Sequence, residues 1–156
     1  MRITRPVRVS HTYRQTLAAS PERVFPLLCP VREAEWAAGW APLAVVSTSG
    51  VAEPDCVFVT PAEPDDAIWY ITRHEPDDLL VEFLKITPGV TACRIVIKLS
   101  GNERECAADV TYTHTSLGPR GDEFVAGFTA EHYRHFMQDW ERELNHYLAT
   151  GRKLGV

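Results

Sequence analysis

Y-R-H-F-M-Q-D-W-E-R-E-L-N-H-Y-L, Tyr133 to Leu148, is the stretch on which the fold turns. Tyr133, Phe136, Met137, Trp140, Leu144, Tyr147 and Leu148 recur at intervals of three and four, the period of a helix with one face against a core. The helical pattern runs from just after Gly121 to about Ala149, roughly 40 Å at 1.5 Å per residue. Carried back past Tyr133, the same stripe meets Ala126, Thr129 and Ala130, which are small. A helix bulky in its C-terminal half and slim in its N-terminal half can press on a sheet at one end and leave space at the other. The expectation is a cavity over Ala126, Thr129 and Ala130, unless large loop residues fill it. Phe124 and Phe128 fall opposite the stripe and need cover from a bend near Gly127, a lid loop or a homodimer contact.

Upstream, Val7 to Leu17 alternates, with Val7, Val9, His11, Tyr13, Gln15 and Leu17 on one face, which predicts a strand with one wet side. Ser20-Pro21-Glu22 then offers a cap, a first-turn proline and an acid for the helix dipole. A short helix to Cys29 and a second from Pro30 to Ala38, closed by Gly39, would form an elbow. Between Pro42 and Ser116, turn chemistry at Ser49-Gly50, Pro61 to Asp65, Pro76-Asp77, Pro88-Gly89 and Gly101-Asn102 separates roughly six strands. No segment there is long enough for a parallel crossover helix, so the sheet is an antiparallel meander. The class is α+β: a curved antiparallel sheet of about seven strands, two short helices after the first, and a long C-terminal helix, all in one domain over 1–156.

This order resembles the START-like helix-grip superfamily, the SRPBCC or polyketide cyclase/dehydrase group. The resemblance covers nearly the whole chain. It rests on T-L-A-A-S-P-E-R-V-F-P-L-L (Thr16 to Leu28), V-T-Y-T-H-T (Val110 to Thr115) and F-M-Q-D-W-E-R-E-L-N-H-Y-L (Phe136 to Leu148). It implies a sheet gripping the helix around a cavity for a lipid, polyketide, hormone or other apolar molecule. Relatives include enzymes, binding or transfer proteins and partner-contacting modules. Plant members carry a glycine-rich loop between early strands; here Ser47 to Pro54 holds one glycine, so phosphate or nucleotide binding is not supported.

Candidate site residues follow from strand register. A two-residue Gly101-Asn102 turn sets Ile97 opposite Cys106, Ile95 opposite Ala108 and Cys93 opposite Val110, and carries Tyr112 and His114 onto the inner face. A tight Pro88-Gly89 turn would align Glu82 with Ile95, burying a carboxyl that could act as general acid or base, with Arg73 in diagonal reach. A longer connection there would flip the strand and leave Glu82 in solvent. If the first strand pairs with the last, as the resemblance implies, His11, Tyr112, His114 and His132 could form a polar cluster at one end of the pocket in which the histidines orient a ligand or shuttle protons, or these histidines could be hydrogen-bonded core and rim residues. Trp36, Trp40 and Trp69 supply flat apolar surface for a pocket wall or for ordinary core packing.

The ligand-binding candidates are therefore Trp36, Trp69, Glu82, Ile95, Tyr112, His114, Thr129 and His132. An enzyme would draw its acid/base groups from Glu82, Tyr112 and His114, although no Ser-His-Asp, Cys-His or paired-carboxylate pattern is present. A net charge of -5 and a pI near 5.7 argue against nucleic acid and anionic membranes. No stretch has the length or apolarity to span a bilayer, which predicts a soluble cytoplasmic protein. Cys29, Cys56, Cys93 and Cys106 lack C-x-x-C spacing and sit in apolar runs, predicting buried thiols. Neither a metal nor a cofactor is expected. The leading expectation is binding of an apolar small molecule; a cyclase- or dehydratase-like enzyme and a protein-interaction module are the alternatives.

Overall fold

In the computed structural model, which describes residues 1–155, seven strands form one antiparallel sheet in the order β1-β7-β6-β5-β4-β3-β2. The strands are β1 (Arg8–Leu17), β2 (Ala44–Val46), β3 (Val57–Thr60), β4 (Ala67–Glu75), β5 (Leu80–Thr87), β6 (Thr91–Gly101) and β7 (Cys106–Ser116). The first strand thus lies beside the last, and the chain between them is the predicted meander.

After β1 the Ser20 hydroxyl accepts from the Arg23 N–H at 3.3 Å and opens α1 (Pro21–Val24). Pro26 has no N–H to continue the α ladder, so the chain tightens into a 3-10 turn over Phe25–Leu27, shorter than the helix predicted to Cys29. The second expected helix is a single 3-10 turn, Arg32–Glu35. The elbow survives as two turns, with Trp36 buried behind the second.

The long helix is divided. α2 (Pro119–Gly127) stops at Phe128, and the Thr129 hydroxyl accepts from His132 N–H at 3.1 Å to cap a new helix, α3 (Ala130–Thr150). Tyr133, Met137, Leu144 and Leu148 of the predicted stripe are buried on α3. The edge strand β1 is closed by α3 side chains: Glu141 accepts from the Thr16 N–H at 2.6 Å, Asn145 donates to the Thr16 carbonyl at 2.9 Å and accepts from the Ala18 N–H at 2.9 Å. Covering an open edge in this way removes a surface for aberrant strand pairing.

Two hairpins differ from the predicted register, with different consequences. In β6–β7 the connection is Asn102 to Glu105, because the Asn102 side chain accepts from the N–H groups of Arg104 and Glu105 at 2.9 and 3.1 Å. Ile97 therefore faces Val110 and Ile95 faces Tyr112. The slip is four residues, an even number, so every side chain keeps its predicted face. In β5–β6 the Thr87 carbonyl accepts from the Val90 N–H at 2.9 Å around Pro88 and Gly89 (φ 73), a turn that adds a third residue to the loop. Phe83 then faces Ile95, and Glu82 faces Val96. That odd change turns Glu82 outward and Lys85 inward.

Candidate ligand pocket

A cavity of about 410 Å³ lies between the elbow, the inner face of the sheet and α3. The sheet contributes Phe58, Trp69, Phe83, Ile95, Ile97 and Tyr112. Glu33, Trp36 and Trp40 come from the elbow, while Phe136 and Trp140 come from α3. All four tryptophans of the chain border this one space. Trp36 stacks on Trp140 with ring centroids 5.7 Å apart and planes 5° from parallel. Trp69 stacks on Phe58 at 5.0 Å and meets Phe83 edge-on at 6.2 Å. The exposed residues Ala38, Phe136 and Asp139 also border the space and mark its mouth. Beside it, Glu143 accepts from the Ala38 N–H at 2.9 Å and Tyr147 donates to Glu35 at 2.5 Å, which fastens the elbow to the helix.

Two ionisable side chains project into this apolar lining. Lys85 sits with its Nζ 4.8 Å from the centroid of the Trp69 ring, a cation–π contact, and burial lowers its pKa. Glu33 has no hydrogen bond or ion pair through its carboxyl among the described residues, and burial raises its pKa to about 8. It is half-buried, with its open side toward the cavity. Tyr112 completes the polar set; burial, followed by nearby Cys93, Tyr133 and Glu33, pushes its pKa well above the usual phenol value. The apolar lining thus carries three polar groups: a carboxyl that burial holds toward its neutral form, a phenol and the Lys85 amine.

Of the residues expected from the sequence, Trp36, Trp69, Ile95 and Tyr112 border the cavity. Glu82 does not: it lies on the outer face, where Thr72 donates to its carboxylate at 3.0 Å. Arg73 stands opposite it in register but binds Glu75 through two hydrogen bonds of 3.0 and 3.1 Å. Thr129 is exposed and serves as the α3 cap, and His132 is exposed beside the Phe128 ring, 5.7 Å between centroids.

His114 is buried but away from the pocket. Its Nδ1 lies 3.0 Å from the Thr91 hydroxyl, and the rings of Phe124 and Phe128 pack on it at 4.7 and 4.6 Å. Burial, then the charge of Lys85, depresses its pKa to about 4, so it is neutral at physiological pH. His11 Nε2 bonds the Phe128 carbonyl at 2.8 Å. These histidines are hydrogen-bonded packing groups.

The space expected over Ala126, Thr129 and Ala130 is absent because those residues are exposed, while Phe128 turns inward and is 5% exposed. That also removes one of the two phenylalanines thought to need cover; Phe124 remains 42% exposed. Sequence reasoning missed Glu33, Lys85 and Trp140. Lys85 follows directly once Pro88-Gly89-Val90 is taken as a three-residue connection, since the odd-numbered residues of β5 then face inward. Glu33 carries no periodic signal, because the elbow has neither helix nor strand repeat.

Among the described residues no helix is long and apolar enough to cross a membrane, and no three His, Cys, Asp or Glu side chains converge as a metal-ligand set. No family model matches the sequence, and no curated protein matches it. Solved structures do resemble it. A norcoclaurine synthase point mutant from Thalictrum flavum, in complex with a transition state analogue, aligns over 95% of this chain and 100% of its own, with TM-score 0.66 and 14% identity. Ara h 8.0201 aligns over 92% of this chain and 99% of its own, with TM-score 0.64 and 14% identity. DynU16, encoded in the dynemicin biosynthetic locus, aligns over 92% of this chain and 48% of its own, with TM-score 0.61 and 19% identity. The protein has the START-like helix-grip fold. At such low identities the likeness establishes fold, and the pocket must speak for function.

Proposed function

We propose that the protein binds an apolar, ring-bearing small molecule, of polyketide or similar chemistry, in the cavity between elbow, sheet and α3. The carrying observation is the convergence of all four tryptophans on one space of about 410 Å³. That volume falls within the ~300–1,000 Å³ of small-molecule sites, which are typically apolar and aromatic with a few polar groups. The two named relatives tied to biosynthesis, a synthase and a protein of a biosynthetic locus, are compatible with a ring-bearing ligand. Four free, buried cysteines fit a reducing compartment such as the cytoplasm.

Because every tryptophan borders the cavity, intrinsic fluorescence reports occupancy without a label. Aromatic polyketide-like compounds should quench or shift tryptophan emission saturably, and native mass spectrometry should find a one-to-one complex. An emission spectrum indifferent to every ring-bearing compound offered, together with no complex in the mass spectrum, would sink the reading.

A second reading, cyclase- or dehydratase-like acid/base catalysis, is favoured by Glu33, whose pKa of about 8 suits proton transfer near neutrality. Tyr112 is retained from the sequence-based acid/base set, while Glu82 and His114 lie off the cavity. Conversion of a bound compound by wild-type protein but not by Glu33→Gln would favour this reading; unchanged ligand in both favours binding alone.

A further inference from the structure

The open polar groups around the cavity share a direction. Lys85 Nζ rests over Trp69 with no carboxylate partner, and the Tyr112 hydroxyl has no acceptor among the described residues. The Trp140 Nε1–H, which has no hydrogen-bond partner among the described residues, is sealed off from the cavity and adds no open donor. The other three indoles are satisfied: Trp36 donates to the Leu27 carbonyl at 3.0 Å, Trp40 to the Pro30 carbonyl at 2.7 Å and Trp69 to the Thr60 hydroxyl at 2.9 Å. The acids at the mouth are engaged, Glu143 by the Ala38 N–H at 2.9 Å and Asp139 by Arg142 at 3.0 Å. Glu33, neutral near physiological pH, adds a further donor rather than a counter-charge. A set of unmatched donors around one uncompensated ammonium asks for an acceptor that carries negative charge.

We propose that the pocket selects a planar aromatic monoanion, a carboxylate or acidic phenol, whose charged oxygen meets the Lys85 ammonium while its rings lie among the tryptophans. This rests on the reading of the cavity as a ligand site and narrows it to a substrate class. An acceptor oxygen elsewhere on the molecule would meet the Tyr112 hydroxyl.

The test compares naphthoate with naphthamide, which share shape and ring surface but differ in charge, by tryptophan quenching at neutral pH. Naphthoate should bind about tenfold or more tightly than naphthamide, the size of a charge-assisted hydrogen bond. The preference, read as the naphthoate-to-naphthamide affinity ratio within each variant, should vanish in Lys85→Met and be retained in Lys85→Arg. Circular dichroism establishes that each variant folds, and Lys85→Gln carries the same test if the methionine variant does not. Equal affinities in wild type, or a preference that survives loss of Lys85, would overturn the anion assignment while the pocket reading stands. Failure of both probes to bind would overturn the assignment and count against the pocket reading as well.

Discussion

At one end of the space beneath the C-terminal helices, Phe128 drops from the break between α2 and α3 into the rings of His11, Tyr112, His114 and Tyr133, with centroid separations of 4.6 to 6.4 Å. At the other, Trp36, Trp69 and Trp140 surround a void of about 410 Å³. Both ends are aromatic, and both are covered by helix. The difference lies in what the helix offers: a chain break aims one ring straight down at the first end, whereas continuous α3 lays Phe136 and Trp140 along the rim at the second. At the first end the rings pack against one another, and at the second they frame a void. Tyr112 stands on the boundary, bordering the cavity while touching Tyr133 at 5.6 Å.

Truncating one phenylalanine at each end should separate packed from framed space. Phe128→Ala removes a ring that is 5% exposed and should cost about 3–5 kcal/mol in denaturant unfolding. Phe136→Ala removes one that is 42% exposed at the mouth and should cost under about 1 kcal/mol. Equal costs would mean that the two ends are packed alike and that the cavity collapses around its lining.

Acid titration separates the ends by chemistry. His114 belongs to the filled end, with a folded pKa of about 4 against an ordinary 6.5. Its contribution is full above the unfolded pKa and is lost as pH falls from 6.5 toward 4, because the unfolded chain takes up the proton first. Between pH 7 and pH 5 the loss should be about 2 kcal/mol. His114→Gln should flatten that limb of the stability curve, measured by denaturant midpoints at each pH. A limb of undiminished steepness in the variant would show that another group is responsible.

How much of this was legible in the sequence depended on parity. The inward direction of Tyr112 and His114 was readable because the β6–β7 error was even, and alternation forgives even slips. Glu82 was misplaced because the Pro88-Gly89-Val90 connection is one residue longer than a tight turn, and alternation does not forgive odd ones. The cavity was put at the wrong end for a related reason. Projecting the α3 stripe back through Thr129 assumes one continuous helix, and a single capping hydroxyl on Thr129 ends that continuity. Trp36, Trp69 and Ile95 could be read as wall material from hydrophobicity and register. Glu33 could not, since its position depends on how a 3-10 turn docks on α3.

The smallest expected effect tests whether the open end carries its ionisable groups at a cost. Glu33 has a folded pKa of about 8 against an ordinary 4.5. Below 4.5 both states hold the proton and burial of the charge is not at issue. As pH rises toward 8 the unfolded chain ionises while the folded one does not, so stability declines through that window and levels off above it. Glu33→Gln has no such titration, and its advantage over wild type should grow between pH 5 and pH 8.5. Because the carboxyl faces an open cavity that admits water, the gain should be about 1–2 kcal/mol. Subtracting the two stability curves cancels His114, which titrates alike in both proteins. A difference curve that stays flat between pH 5 and pH 8.5 would show that Glu33 is solvated and that the pocket holds an ionised carboxylate that offsets Lys85.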